Sequence, residues 1–135
     1  MWAIPPWAWG KVALVRHSLG GIYAREIARS EPDSIEQVII LGSPFGRGRQ
    51  KASRANQLYP RLNPQPDERG DEDILVTPPP LPTTATCTKA DGVVTWRTSV
   101  QAGSNHHVHN IEVLRSHIGL NANAGVWYWI AKKLG

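Results

Sequence analysis

The stretch Val15-Arg16-His17-Ser18-Leu19-Gly20-Gly21 constrains this chain more than any other. It follows the apolar run Lys11-Val12-Ala13-Leu14-Val15 and precedes a segment with helical spacing. A strand, a sharp turn carrying Ser and then a helix is the context of a nucleophile elbow. Such a turn lifts the Ser hydroxyl clear of the backbone. Gly20 and Gly21 allow a tight turn and a close approach of helix to strand. The helix N-terminus then aims N–H groups at any anion that forms nearby. The position two before Ser, commonly glycine in G-x-S-x-G, is Arg16 here, and so large a side chain is expected to strain or splay the turn.

The rest of the pattern alternates strands with helices. Residues 19–30 suit a helix with an apolar stripe of Leu19, Ile22, Tyr23 and Ile27, and with Arg25, Glu26 and Arg29 on the wet side. Val38-Ile39-Ile40-Leu41 reads as a strand covered on both faces, as in a parallel sheet. A third strand is expected from Leu81 to Thr88 and a fourth over Asn110 to Leu114. The last helix should bury Trp127, Ile130, Ala131 and Leu134, with Asn123 as its N-cap and Lys132 and Lys133 at its negative end. This alternation predicts an α/β fold, a small and mostly parallel sheet flanked by helices.

Residues 1–9 form a Trp-rich opening segment and residues 10–135 a single domain. Residues 46–80, rich in Arg, Pro, Asn and Asp, read as a surface excursion with a helix around 50–58. The 135 residues suffice for one modest core. The net charge of +4 comes from scattered Arg and Lys, and the basic stretch 47–69 interleaves only Tyr59, so solubility is expected and nucleic-acid binding is not. The one cysteine, Cys87, offers no internal disulfide. No transmembrane segment is visible, the opening has no basic region ahead of its apolar residues, and a cytoplasmic location is the default expectation.

A serine needs a base within hydrogen-bond reach and a carboxylate to orient that base. Asp91 follows the third strand and His117 the fourth. Loops after the carboxyl ends of parallel strands gather on one rim, so Ser18, Asp91 and His117 are expected there together. Each has a plainer reading. Ser18 is a good helix N-cap. Asp91, before Gly92, suits an ordinary turn. His106, His107 and His109 cluster as a metal site would, but lack an acidic or Cys partner at ligand spacing and read as a solvated loop. Arg47, Arg49 and Lys51 lack a glycine loop for phosphate, and Trp2, Trp7 and Trp9 suit either an acyl-binding wall or an interaction surface.

Three blocks together carry a resemblance. They are residues 11–26 around Ser18, Val38-Ile39-Ile40-Leu41-Gly42-Ser43-Pro44-Phe45, and Asp91-Gly92-Val93-Val94-Thr95-Trp96 with Ser116-His117-Ile118-Gly119-Leu120. Over residues 10–135 the chain resembles the carboxyl-terminal portion of α/β-hydrolases of the esterase/lipase-like kind. The resemblance implies a partial α/β-hydrolase core whose strand order follows the chain. It implies Ser18 as nucleophile, His117 as general base, Asp91 as orienting acid and the backbone N–H of Leu19 as an oxyanion-hole donor. His17, Ser43, Pro44 and Phe45 are read as lining the pocket. The implied activity is hydrolysis of carboxylic esters, of small molecules or lipids, through an acyl-enzyme and without cofactor or metal. The family's second oxyanion donor comes from a loop after an early strand that this chain lacks. The alternative is therefore a truncated hydrolase scaffold with impaired catalysis that binds an apolar ligand or a protein partner. In either case the first strand forms an exposed sheet edge, through which homo-oligomerisation is expected.

Overall fold

A computed structural model describes residues 10–47, 76–102 and 107–135. The Trp-rich opening, the helix read around 50–58, most of the 46–80 excursion and His106 lie outside the described residues.

Four strands make one sheet: Val12–His17 (β1), Ile35–Leu41 (β2), Thr83–Cys87 (β3) and Val108–Glu112 (β4). Their order is β1-β2-β3-β4 and every pairing is parallel. Among the described residues the α-helices of more than one turn are Leu19–Ser30 (α1) and Ala124–Leu134 (α2), with short 3-10 turns at Trp96–Ser99 and Ile118–Leu120. Each strand starts or ends within a few residues of its expected place. The fourth begins two residues before Asn110, so that His109 belongs to β4 and not to a solvated loop.

β2 explains the layering. Side chains alternate across a strand, and here both faces are covered. Ile35, Val38 and Ile40 join Ile22, Ala24, Ala28, Phe45, Leu81 and Ala85 in the α1 layer. Ile39 and Leu41 join Leu120, Val126 and Ile130 in the α2 layer. Gln37 ties the layers together, donating from Nε2 to the Lys133 carbonyl near the end of α2 at 2.8 Å.

Each of these two helices buries only part of the stripe that periodicity picks: Ile22 and Ile130 are buried as expected, the rest less so. In α1 the buried residues are Gly21, Ile22, Ala24, Arg25 and Ala28, while Tyr23 and Ile27 remain 49% and 46% exposed. The small residues let α1 close onto the sheet; a Cβ at Gly21 would lie 1.9 Å from Ser43 Oγ and 3.0 Å from Ile40 Cγ2. Arg25, expected in water, is fully buried. Its guanidinium lies 4.1 Å above the Phe45 ring and donates to Gln101 Oε1 at 2.7 Å and to the Thr77 carbonyl at 3.0 Å. Burial lowers its pKa to about 9, and the cost of burying the cation is offset by these acceptors and the ring face. In α2, Val126 and Ile130 are buried, whereas Trp127 and Leu134 are 53% and 49% exposed. This helix is apolar nearly all round, so spacing alone does not choose a face. The Trp127 indole N–H donates to the Asn121 carbonyl at 2.7 Å, which keeps the ring outside. Asn123 caps the helix as expected, its Oδ1 accepting from the N–H groups of Gly125 and Val126.

No helix among the described residues is long and apolar enough to cross a membrane.

Candidate active site

The turn after β1 holds Ser18 at φ 52°, ψ −129°, the only non-glycine residue with positive φ among the described ones. A non-glycine residue in such a conformation is strained by about 1–3 kcal/mol and persists only where its surroundings enforce it. Here Ser18 N–H donates to the Leu41 carbonyl at 2.8 Å, continuing the β1–β2 ladder into the turn. Its side chain makes no helix-capping bond, so the plain N-cap reading fails. Arg16 does not splay the turn. Its side chain is exposed and runs past Gly20, where a Cβ would meet the Arg16 stem at 3.6–3.7 Å.

The Ser18 hydroxyl instead meets an imidazole. Ser18 Oγ is 3.1 Å from His117 Nε2, and His117 Nδ1 is 2.6 Å from Asp91 Oδ2. The other Asp91 oxygen, Oδ1, accepts from the N–H groups of Val93 and Val94, both at 2.8 Å. Asp91 is therefore both the turn residue and the imidazole's partner, and the turn fixes the direction of its carboxylate. An acceptor at Nδ1 places the imidazole proton there and leaves the Nε2 lone pair facing the Ser18 hydroxyl. Such a line can move a proton from hydroxyl to imidazole and stabilise the charge that results. His117 is buried, and the carboxylate side chain of Asp91 still more so. Leu19 is the first residue of α1, and an N–H in that position has no partner inside the helix.

Of the residues expected to line the pocket, His17 lies beside the imidazole and Ser43, Pro44 and Phe45 are buried. His17 packs against His117 itself. Its Nε2 donates to the His117 carbonyl at 3.0 Å, and the two ring centroids are 4.5 Å apart. Burial pushes its pKa down, against the opposing pull of that hydrogen bond. Ser43, Pro44 and Phe45 are buried, Phe45 within the α1 core and Ser43 against Gly21. Ser43 and Phe45 thus support α1 just behind the elbow.

Two residues that sequence reasoning passed over shape the site. Gly42 directly follows β2 with φ +55°, and a Cβ there would lie 3.2 Å from His117 Nδ1 and 2.9 Å from Leu120 Cδ1. A glycine directly after a buried strand was the available signal. Thr88, at the end of β3, hydrogen-bonds through its hydroxyl to the loop that carries His117; nothing in the sequence marked it. Among the described residues no group of His, Cys, Asp or Glu could hold a metal ion. Cys87 is buried, which raises its thiol pKa.

No protein-family model and no curated protein matches this chain. Solved structures do. The esterase domain of a Rhodothermus marinus protein superposes with a TM-score of 0.60 at 18% identity, over 91% of this chain and 58% of its own. Part of the α/β-hydrolase fold is present here. MGS-MChE2, an α/β-hydrolase enzyme from a lagoon-sediment metagenome, gives a TM-score of 0.55 at 18% identity over 93% of this chain and 63% of its own. A thioesterase domain from the curacin biosynthetic pathway gives 0.51 at 17% identity over 87% and 63%. The chain thus spans less than two thirds of the length of each of these α/β-hydrolase-fold structures.

Proposed function

We propose that the chain is a serine hydrolase of carboxylic esters acting through an acyl-enzyme. The observation that carries this reading is the hydrogen-bonded line Ser18–His117–Asp91, with its serine held in a strained elbow. The esterase and hydrolase structures that share the fold support it. In acylation His117 Nε2 takes the Ser18 proton as Oγ attacks the ester carbonyl carbon. The tetrahedral oxyanion faces the Leu19 N–H. Its collapse breaks the ester C–O bond, and the departing alkoxide takes the proton from His117. A water then gives its proton to His117 and attacks the acyl carbon. The acid leaves, and Ser18 regains its hydrogen. Asp91 holds the imidazole and offsets its positive charge in both halves. His17, kept neutral by burial, sets no second cation against the imidazolium.

An oxyanion donor is typically worth about 10²–10³ in rate. The Leu19 N–H, at the start of α1, stands where one such donor is needed, and covalent capture reads the Ser18–His117 pair without requiring turnover. The purified protein is treated with a fluorophosphonate probe beside Ser18→Ala and His117→Ala. Labelling that both substitutions abolish supports the reading. A folded parent that does not label refutes it and leaves a scaffold that binds an apolar ligand or a protein partner.

A further inference from the structure

We infer that Thr88 is a positioning residue that sets the distance between the Asp91 and His117 loops. Those loops leave adjacent strands, β3 and β4. The last ladder bond between them runs from Val113 N–H to the Cys87 carbonyl at 2.9 Å. Beyond it the chains separate, and the Thr88 hydroxyl takes over. It donates to the Arg115 carbonyl and accepts from the Arg115 N–H at 3.2 Å. It also accepts from the Ala90 N–H at 3.2 Å. One buried side chain thus holds both backbone groups of the residue two before His117 and the N–H of the residue just before Asp91. A cross-strand rung made by a side chain stands where the backbone ladder has run out.

The chemistry suits threonine. A hydroxyl is a donor and a double acceptor at once, which the Arg115 N–H and carbonyl together require. Valine has the same shape but neither capacity, and would leave these backbone groups without their partner. Alanine leaves room for a water that could satisfy them without fixing the loops. The bond from Asp91 Oδ2 to His117 Nδ1 is 2.6 Å, and a separation that drifts by about 1 Å is enough to cost on the order of 10²-fold in rate.

The kinetic part of this inference rests on the hydrolase reading; the structural part does not. Two readouts are therefore taken on the full 135-residue chain. One is the low-field proton resonance of His117 Nδ1–H, identified by its loss in His117→Ala. The other is the rate of fluorophosphonate labelling. Thr88→Val and Thr88→Ala should weaken or abolish the resonance and slow labelling by about 10²-fold. Thr88→Ser, which keeps the hydroxyl, should restore most of both. If the parent does not label, the hydrolase reading fails and the resonance alone decides. If Thr88→Val does not fold, Thr88→Ala carries the comparison. A folded Thr88→Ala with the parent's resonance overturns the inference, whatever the labelling rate. So does loss of the resonance in Thr88→Ser.

Discussion

Gly42→Ala tests the geometry of the site from the side of the sheet. It adds one methyl group to a residue that has no side chain of its own at the site. Two consequences follow from the structure. The first is conformational: φ at this position is +55°, and an L-residue there costs roughly 1–2 kcal/mol. For a domain of this size that corresponds to a fall of about 3–10 °C in melting temperature. The second is steric. The new Cβ would lie 2.9 Å from Leu120 Cδ1, 3.2 Å from His117 Nδ1 and 3.3 Å from His117 Cε1. Leu120 is fully buried and gives little. The imidazole is then displaced by some tenths of an ångström, away from a bond to Asp91 that is already at 2.6 Å. Labelling by a fluorophosphonate should fall by about 10–10²-fold while the protein remains folded. Thermal melts and labelling rates on the same samples separate the two effects. A lower melting temperature with the parent's labelling rate would refute the steric argument and leave only the backbone strain. A parental melting temperature would refute the conformational one.

Acidification should weaken the fold through His17. Its pKa in the folded chain is lowered by burial below the ordinary 6.5, so in the window just under 6.5 the unfolded chain binds a proton that the folded chain refuses. Stability should fall as pH drops through that window. His17→Gln, which retains an N–H donor without the titration, should show a shallower loss in denaturant melts between pH 7 and 5, to a modest degree because the ring is half-buried; parallel curves would count against this. Among the described residues no strand pairs with the outer edge of β1, whose first residue Val12 is 51% exposed; such an edge is a pairing template, and self-association is expected. Light scattering should show a mass that rises with concentration and is driven toward the monomer by Val12→Lys, whereas a monomer at every concentration would dispose of the idea.

The site was more legible in the sequence than the packing was. Ser18, Asp91 and His117 could be named together because each follows the carboxyl end of a strand, and parallel strands bring such ends to one rim. That argument needs only strand positions, which survive errors of two residues such as the early start of β4. Helix faces need more. In α1 the spacing of Tyr23 and Ile27 promised a buried stripe, yet the elbow forces α1 against β2, and only Gly21, Ala24 and Ala28 are small enough for that approach. Arg25 is then drawn under the surface by partners from residues 45, 77 and 101, all distant in sequence. In α2 two apolar faces compete; Ile130 belongs to the expected one, and contact with Ile39, Leu41 and Leu120 adds Val126 in place of Trp127 and Leu134.

The two supports that went unnoticed follow from the path His117 must take. The strand ends are level: His17 pairs with Leu41, Leu41 with Thr86, and Cys87 with Glu112. Ser18 needs no reach, being the first residue after β1. His117 leaves from β4, three strand spacings away, which is roughly 14 Å, and must come back across β3 and β2 to meet it. Each strand it crosses contributes something at the crossing. β3 holds the loop through Thr88 and offers Asp91 to the ring's Nδ1. β2 is followed by Gly42, with no side chain to block the imidazole beside it. β1 receives the loop with His17, which bonds the His117 carbonyl next to the serine. A threonine, a glycine and a histidine share no chemistry and no spacing, so no motif could have united them. What unites them is the order β1-β2-β3-β4, which starts the His117 loop from the strand farthest from Ser18 and requires that its return path be held at every strand.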